Sequence, residues 1–154
     1  PTSTEYNDTT LHPVIYFIHG ESYDAGSGNA YDATVLAAVG NVVVITINYR
    51  LGILGFLTLE NSAARGNNGI LDLLAGLDWV NKNIRNFGGD PNNVCLFGHR
   101  YGAALVNLLI MSPVLKSRNL FRNAIMQSGS ALASWGLSHY PIFYAHQLLN
   151  RFNC

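Results

Sequence analysis

Val94-Cys95-Leu96-Phe97-Gly98-His99-Arg100-Tyr101-Gly102-Ala103-Ala104 is the stretch whose reading decides the fold. Val94 to Phe97 is an apolar run of the kind that forms a buried strand. Gly98 and Gly102 bracket a sharp turn. Ala103 to Met111 reads as a helix closed by Ser112-Pro113. Glycine is needed at both positions because the strand and helix backbones nearly touch there.

That layout is a nucleophile elbow, G-x-S-x-G, in which a serine stands above the sheet edge of an α/β-hydrolase. Here the middle position is Arg100. A guanidinium stays protonated, carries five donors and has no lone pair with which to attack an acyl carbon. His99 is a base by its chemistry, but in this fold the base comes from a later loop, in the order Ser, acid, His. Asp90 is the last carboxylate of the chain. Beyond Arg100 stand His139 and His146 and no Asp or Glu. A serine restored at position 100 would find no acid in this chain to orient its imidazole. Two readings of His99 and Arg100 follow: solvated residues on a retained turn, or a binding role for Arg100.

Upstream, Val14 to Ile18 is a continuous apolar run that predicts a strand buried on both faces. In the α/β-hydrolase the loop after such a strand supplies backbone donors to a developing oxyanion, typically through an HGGG-type motif. The motif here reads His19-Gly20-Glu21-Ser22. Glu21 keeps its backbone N–H but brings a carboxylate close to where negative charge would build up, which raises the barrier. Glu21 either points to solvent or pairs with Arg100. Tyr101 stands where a small residue ordinarily lets the donors approach.

The remaining segments predict an alternation of strands and helices. Residues 1–13 form a polar lead-in. Thr34 to Val39 is a short helix stopped by Gly40, and Val42 to Ile47 a second buried strand. Residues 48–56 and 57–68 read as loops. From Ile70 to Arg85, the residues Ile70, Leu73, Leu74, Leu77, Val80 and Ile84 recur at helical spacing, with Asp78 and Lys82 one turn apart outside. Gly88-Gly89-Asp90-Pro91 ends that helix and turns the chain. Ala124 to Gln127 is a fourth strand, and Pro141 to Phe152 a last helix. Its inner face carries Ile142, Ala145, Leu149 and Phe152, with His146 on the same stripe as a hydrogen-bonded packing histidine. The fold class is α/β, a mostly parallel sheet with helices on both faces. Four parallel strands leave open edges, which points to the N-terminal part of a larger α/β-hydrolase domain.

With 154 residues and 49% apolar composition, the chain builds one core and one domain. The formal net charge is zero, so charge gives no support for nucleic-acid binding. Charged residues make up 12%, about half the usual share, so part of the surface is suited to burial against something else. No apolar run is long enough to span a bilayer, and no cofactor or metal motif occurs. Asn7-Asp8-Thr9 is a glycosylation sequon. Cys95 reads as a buried thiol in the elbow strand, and Cys154 as a residue beside which the chain is cut. A disulfide between them is the other reading.

The stretches VIYFIHGESYDAGSGNAYD, NVVVITINYRLGILGFL, GNNGILDLLAGLDWVNKNIRNFGGDP, VCLFGHRYGAALVNLLIMSP and LFRNAIMQSGSALASW resemble the type-B carboxylesterase and cholinesterase family. They cover nearly all residues after Pro13. VNLLIMSP and SGSALASW resemble the non-catalytic neuroligin branch in particular. Neuroligins also lack the elbow serine but usually carry a small residue there, so Arg100, Tyr101 and Glu21 are departures.

The resemblance implies the ectodomain of an extracellular, postsynaptic, single-pass membrane protein. It implies recognition of a neurexin-like surface protein with calcium at the partner interface, and a homodimer built by C-terminal helices. All of these map beyond residue 154. It also implies that Cys154 pairs with a cysteine slightly downstream.

Three functions fit these residues. The first is a catalytically dead, adhesion-type esterase homologue. The second is a working hydrolase with a shifted nucleophile, Ser128 or Ser22. The third is another non-catalytic relative, such as a junctional adhesion protein or a hormone-precursor domain.

Overall fold

The computed structural model describes residues 10–59 and 64–153. Four strands form one sheet in the order β2-β1-β3-β4, and every pairing is parallel. They are β1 (His12–Ile18), β2 (Val43–Ile47), β3 (Gly89–His99) and β4 (Asn123–Gln127). Six helices accompany them among the described residues: α1 (Thr34–Gly40), α2 (Gly52–Phe56), α3 (Asn68–Asn83), α4 (Tyr101–Met111), α5 (Pro113–Lys116) and α6 (Pro141–Phe152).

Parallel register places partnered residues on one face of the sheet. Val14, Tyr16 and Ile18 stand beside Val94, Leu96 and Gly98. That face is the core, covered by Leu73, Leu77 and Val80 of α3 and by Leu105, Val106 and Leu109 of α4. Burying side chains of this size supplies about 1.5–3 kcal/mol each. Tyr16 reaches across it, and its hydroxyl donates to the Leu73 carbonyl at 3.0 Å. Burial pushes that phenol far above its ordinary value. On the opposite face α1 brings Ala33 and Leu36 against Ile15, Phe17, Val44, Thr46 and Phe97, around a cavity of 140 Å³.

Several expectations shift. β1 begins at His12, inside the anticipated lead-in. The His12 amide donates to the Gly88 carbonyl, and Pro13, which has no N–H, sits at an irregularity in the register. β3 begins at Gly89 rather than Val94. It bulges through Asp90–Asn93, where the Asp90 carboxylate accepts from the Asn92 amide. β2 is half-buried along its length because it is an edge strand.

Residues 52–56, read as loop, form the one-turn helix α2, and Gly55 lies where a β-carbon would meet the Arg50 carbonyl at 2.1 Å. α3 starts two residues early and gives way at Ile84–Phe87 to a 3₁₀ turn ended by Gly88 in the left-handed region. Asp78 pairs with Arg118, forty residues on, rather than with Lys82. In α6 only Ala145 is buried, while Ile142, Leu148 and Leu149 are half-buried. His146 and Phe152 are exposed, so His146 is not a packing histidine. Cys95 is a half-buried free thiol whose ionisation burial disfavours. Asn7 and Cys154 lie outside the described residues.

Candidate functional site: the elbow and the facing loop

The turn is tighter than its two glycines announced. Gly98 and His99 are still strand, and Tyr101 is already helix. The whole reversal falls on Arg100, at φ 51° and ψ −114°. A non-glycine residue in that region is strained by about 1–3 kcal/mol and persists only where its surroundings enforce it. The surroundings do so here. The Arg100 amide donates to the Gln127 carbonyl at 2.8 Å, and its carbonyl accepts from Ala104 at 3.1 Å. Four glycines let the backbones crowd in. A β-carbon on Gly98 would meet the Gly102 carbonyl at 2.3 Å, and one on Gly102 the Ile18 carbonyl at 2.1 Å. One on Gly20 would meet the Gly102 amide at 2.1 Å, and one on Gly129 the Arg100 carbonyl at 2.0 Å. The elbow is therefore a tight strand-to-helix reversal centred on Arg100 and crowded by backbone from four glycine positions.

The loop after β1 does face the elbow, since Gly20 touches both His99 and Gly102. Glu21 and Arg100 form an ion pair, Oε2 to Nη1, at 3.8 Å, with both side chains more than half exposed. Of the two readings of Glu21, the pair is the one the structure adopts. The Tyr31 hydroxyl also engages Glu21. Its pKa is raised by burial first and then by that carboxylate's charge and hydrogen bond. His99 is half-buried at the end of β3.

Beside the elbow, from Tyr101 outward, aromatic rings stand in a row. Tyr101 contacts Trp135 with centroids 4.3 Å apart and Tyr23 at 4.9 Å, and Tyr23 contacts Phe56 at 5.1 Å. The Tyr23 hydroxyl donates to the Gly136 carbonyl at 2.9 Å. Burial, with Tyr101 nearby, pushes it up to about 12. Sequence reasoning named Tyr101 but missed this row, because Phe56, Tyr23 and Trp135 are far apart in the chain.

His19 is also more than a loop marker. It is 1% exposed and stacks on Tyr49 at 4.6 Å, while the Tyr49 hydroxyl donates to the His19 carbonyl at 2.9 Å. Neither ring nitrogen has a hydrogen-bond partner among the described residues. Burial lowers its pKa, and Glu21 opposes that.

The shifted nucleophiles gain nothing. The Ser22 hydroxyl donates to Asp24 and accepts from the Ala25 amide at 3.1 Å. Ser128 is exposed just past β4, at φ 57°. Among the described residues no hydrogen bond joins a serine hydroxyl to an imidazole, and His139 and His146 are both exposed. No helix among the described residues is long and apolar enough to cross a membrane.

Residues 1–154 match the sequence profile described as the Carboxylesterase family. Neuroligin-2 of Mus musculus is 47% identical over 154 residues, covering 100% of this chain and 18% of that protein. Neuroligin-3 of Mus musculus is 47% identical over 150 residues, covering 97% and 18%. Neuroligin-1 of Caenorhabditis elegans is 44% identical over 156 residues, covering 100% and 20%. The chain thus spans about a fifth of the length of these relatives.

Proposed function

We propose, from the premise that this chain belongs to the carboxylesterase family, that it is part of a catalytically inactive, neuroligin-type adhesion receptor. The observation that carries the loss of catalysis is the pairing of hydrolase backbone geometry with Arg100 at the attacking position. Glu21 and Tyr101 support it from either side, one adding negative charge beside the oxyanion donors and the other adding bulk. Similarity to neuroligins along the whole chain supports the adhesion role over that of a junctional or hormone-precursor relative.

On this reading the protein sits at the cell surface, postsynaptically, as an ectodomain glycosylated at Asn7 and anchored by a span beyond residue 154. It recognises a neurexin-like protein and dimerises through segments outside this chain, and Cys154 pairs downstream. Residues 1–154 are one part of a larger esterase-like domain. Among the described residues no three His, Cys, Asp or Glu side chains converge as a metal site, and on this reading calcium belongs to the partner interface outside this chain.

The test is turnover of p-nitrophenyl esters by the whole protein, beside aggregation of cells displaying it with cells displaying a neurexin. No turnover together with aggregation is the expected result. Hydrolysis abolished by an organophosphate would overturn the loss of catalysis, and absence of aggregation the adhesion role.

A further inference from the structure

We propose that His19 is an acid-responsive latch that holds the loop carrying Glu21 against the elbow and releases it when the imidazole takes up a proton. The ring is clamped on two sides. Tyr49 stacks on one face at 4.6 Å and an interplanar angle of 21°. Gly26 closes the ring edge so tightly that a β-carbon there would reach Nδ1 at 2.5 Å. Gly26 itself sits at φ 130°, a conformation that side chains rarely adopt, so this close approach is specific to glycine. Inside the clamp, neither ring nitrogen meets an acceptor or a donor among the described residues.

A neutral imidazole tolerates that position because it is held by packing. An imidazolium does not, since it carries two N–H donors and a full charge into a site with nothing to receive them. The proton is accommodated when the ring swings out to water. Glu21 is two residues along the same loop, so the swing draws its carboxylate off Arg100 and uncovers the elbow.

The ionisable groups around the ring are few. Glu21, on its own loop, favours the proton. Tyr49 packs on it from the segment after β2, and the Tyr23 and Tyr31 phenols lie close to Tyr49. The elbow contributes Arg100, already engaged by Glu21, and His99, whose carbonyl abuts Gly20. Burial outweighs Glu21 and lowers the His19 pKa below 6.5. The open loop therefore binds more protons than the closed one, and opening grows as pH falls below that ordinary value. This device stands whether or not the site hydrolyses esters.

The test is amide hydrogen exchange over residues 19–31 in the whole protein, corrected for intrinsic rates. Protection is expected to fall roughly fivefold or more between about pH 7.5 and about pH 5. In His19→Phe, which keeps the stacked ring but cannot titrate, protection should not change with pH. Glu21→Gln should move the midpoint to lower pH, because it removes the charge that favours protonation. PH-independent protection in the parent protein, or an unaltered fall in His19→Phe, overturns the latch. Should His19→Phe not fold, carbon-labelled histidine decides the matter in the parent protein. A His19 ring titrating below 6.5 together with loop amides supports the latch, and one titrating at or above 6.5 rejects it.

Discussion

The Arg100 amide donates to the Gln127 carbonyl across 2.8 Å, which ties the elbow to the edge strand β4. Behind that bond, Gly129 leaves no room for a β-carbon against the Arg100 carbonyl. The strained backbone at Arg100 is thus imposed from two elements.

Relaxing that strain and adding to it should move stability in opposite directions. Arg100→Gly removes the penalty of a side chain at φ 51° and, after the entropy of a glycine in the unfolded chain, stabilises by about 1 kcal/mol. Gly102→Ala drives a β-carbon into the Ile18 carbonyl and costs about 3 kcal/mol or more. Urea denaturation of the whole protein reads both. A destabilised Arg100→Gly would mean that the arginine side chain contributes more than its backbone loses.

Arg100→Ser alone should yield neither turnover nor covalent labelling by a serine-directed fluorophosphonate. The new hydroxyl would sit on the same strained backbone, with the Glu21 carboxylate on the facing loop and the Tyr101 ring next to it. Labelling with turnover would show that the site was one substitution from activity.

The Glu21–Arg100 pair should be weak as a source of stability. At 3.8 Å, with both side chains more than half exposed, its coupling in a double-mutant cycle with Glu21→Gln and Arg100→Gln is expected at about 0.5 kcal/mol or less. About 0.5 M salt should reduce it further. A coupling well above 1 kcal/mol would mean that the pair is desolvated in the whole protein.

Asp72 should contribute to acid sensitivity. Its carboxylate accepts from the Arg50 guanidinium twice, at 2.8 Å each, and from the Arg50 amide at 3.0 Å. The Arg50 hydrogen bonds hold its pKa below the ordinary 3.8 despite partial burial. A depressed carboxylate stabilises above its unfolded value and loses that contribution as pH falls through the folded one. Asp72→Asn should therefore lower Tm at neutral pH, with the gap to the parent closing below about pH 3. A gap that persists in acid would assign the loss to packing.

What was legible in the sequence was local. Gly98 and Gly102 announced the elbow because strand and helix backbones crowd together there and leave no room for a β-carbon. The α3 stripe was legible because Leu73, Leu77, Val80 and Ile84 recur at the helical period, and all four are buried. The family was legible in segment order, and similarity along the whole chain bears it out. That an arginine stands between the two glycines needed only the identity of residue 100.

Contacts between distant segments were not legible. Asp78 meets Arg118 rather than Lys82 because packing carries residues 113–118 over α3, and an exposed pair within one helix is too weak to compete. α2 was hidden because two glycines in five residues carry no helical preference, although the crowded Arg50 carbonyl selects glycine there. His146 and Phe152 fell on the apolar stripe of α6, yet the helix buries little beyond Ala145, since periodicity names a face but not what covers it. Residue identities alone placed an arginine at the centre of the turn. Only the tertiary structure brought Glu21 to Arg100, lined up four aromatic rings beside Tyr101 and sealed His19 against Tyr49, because each of these depends on segments that meet only when the sheet is assembled.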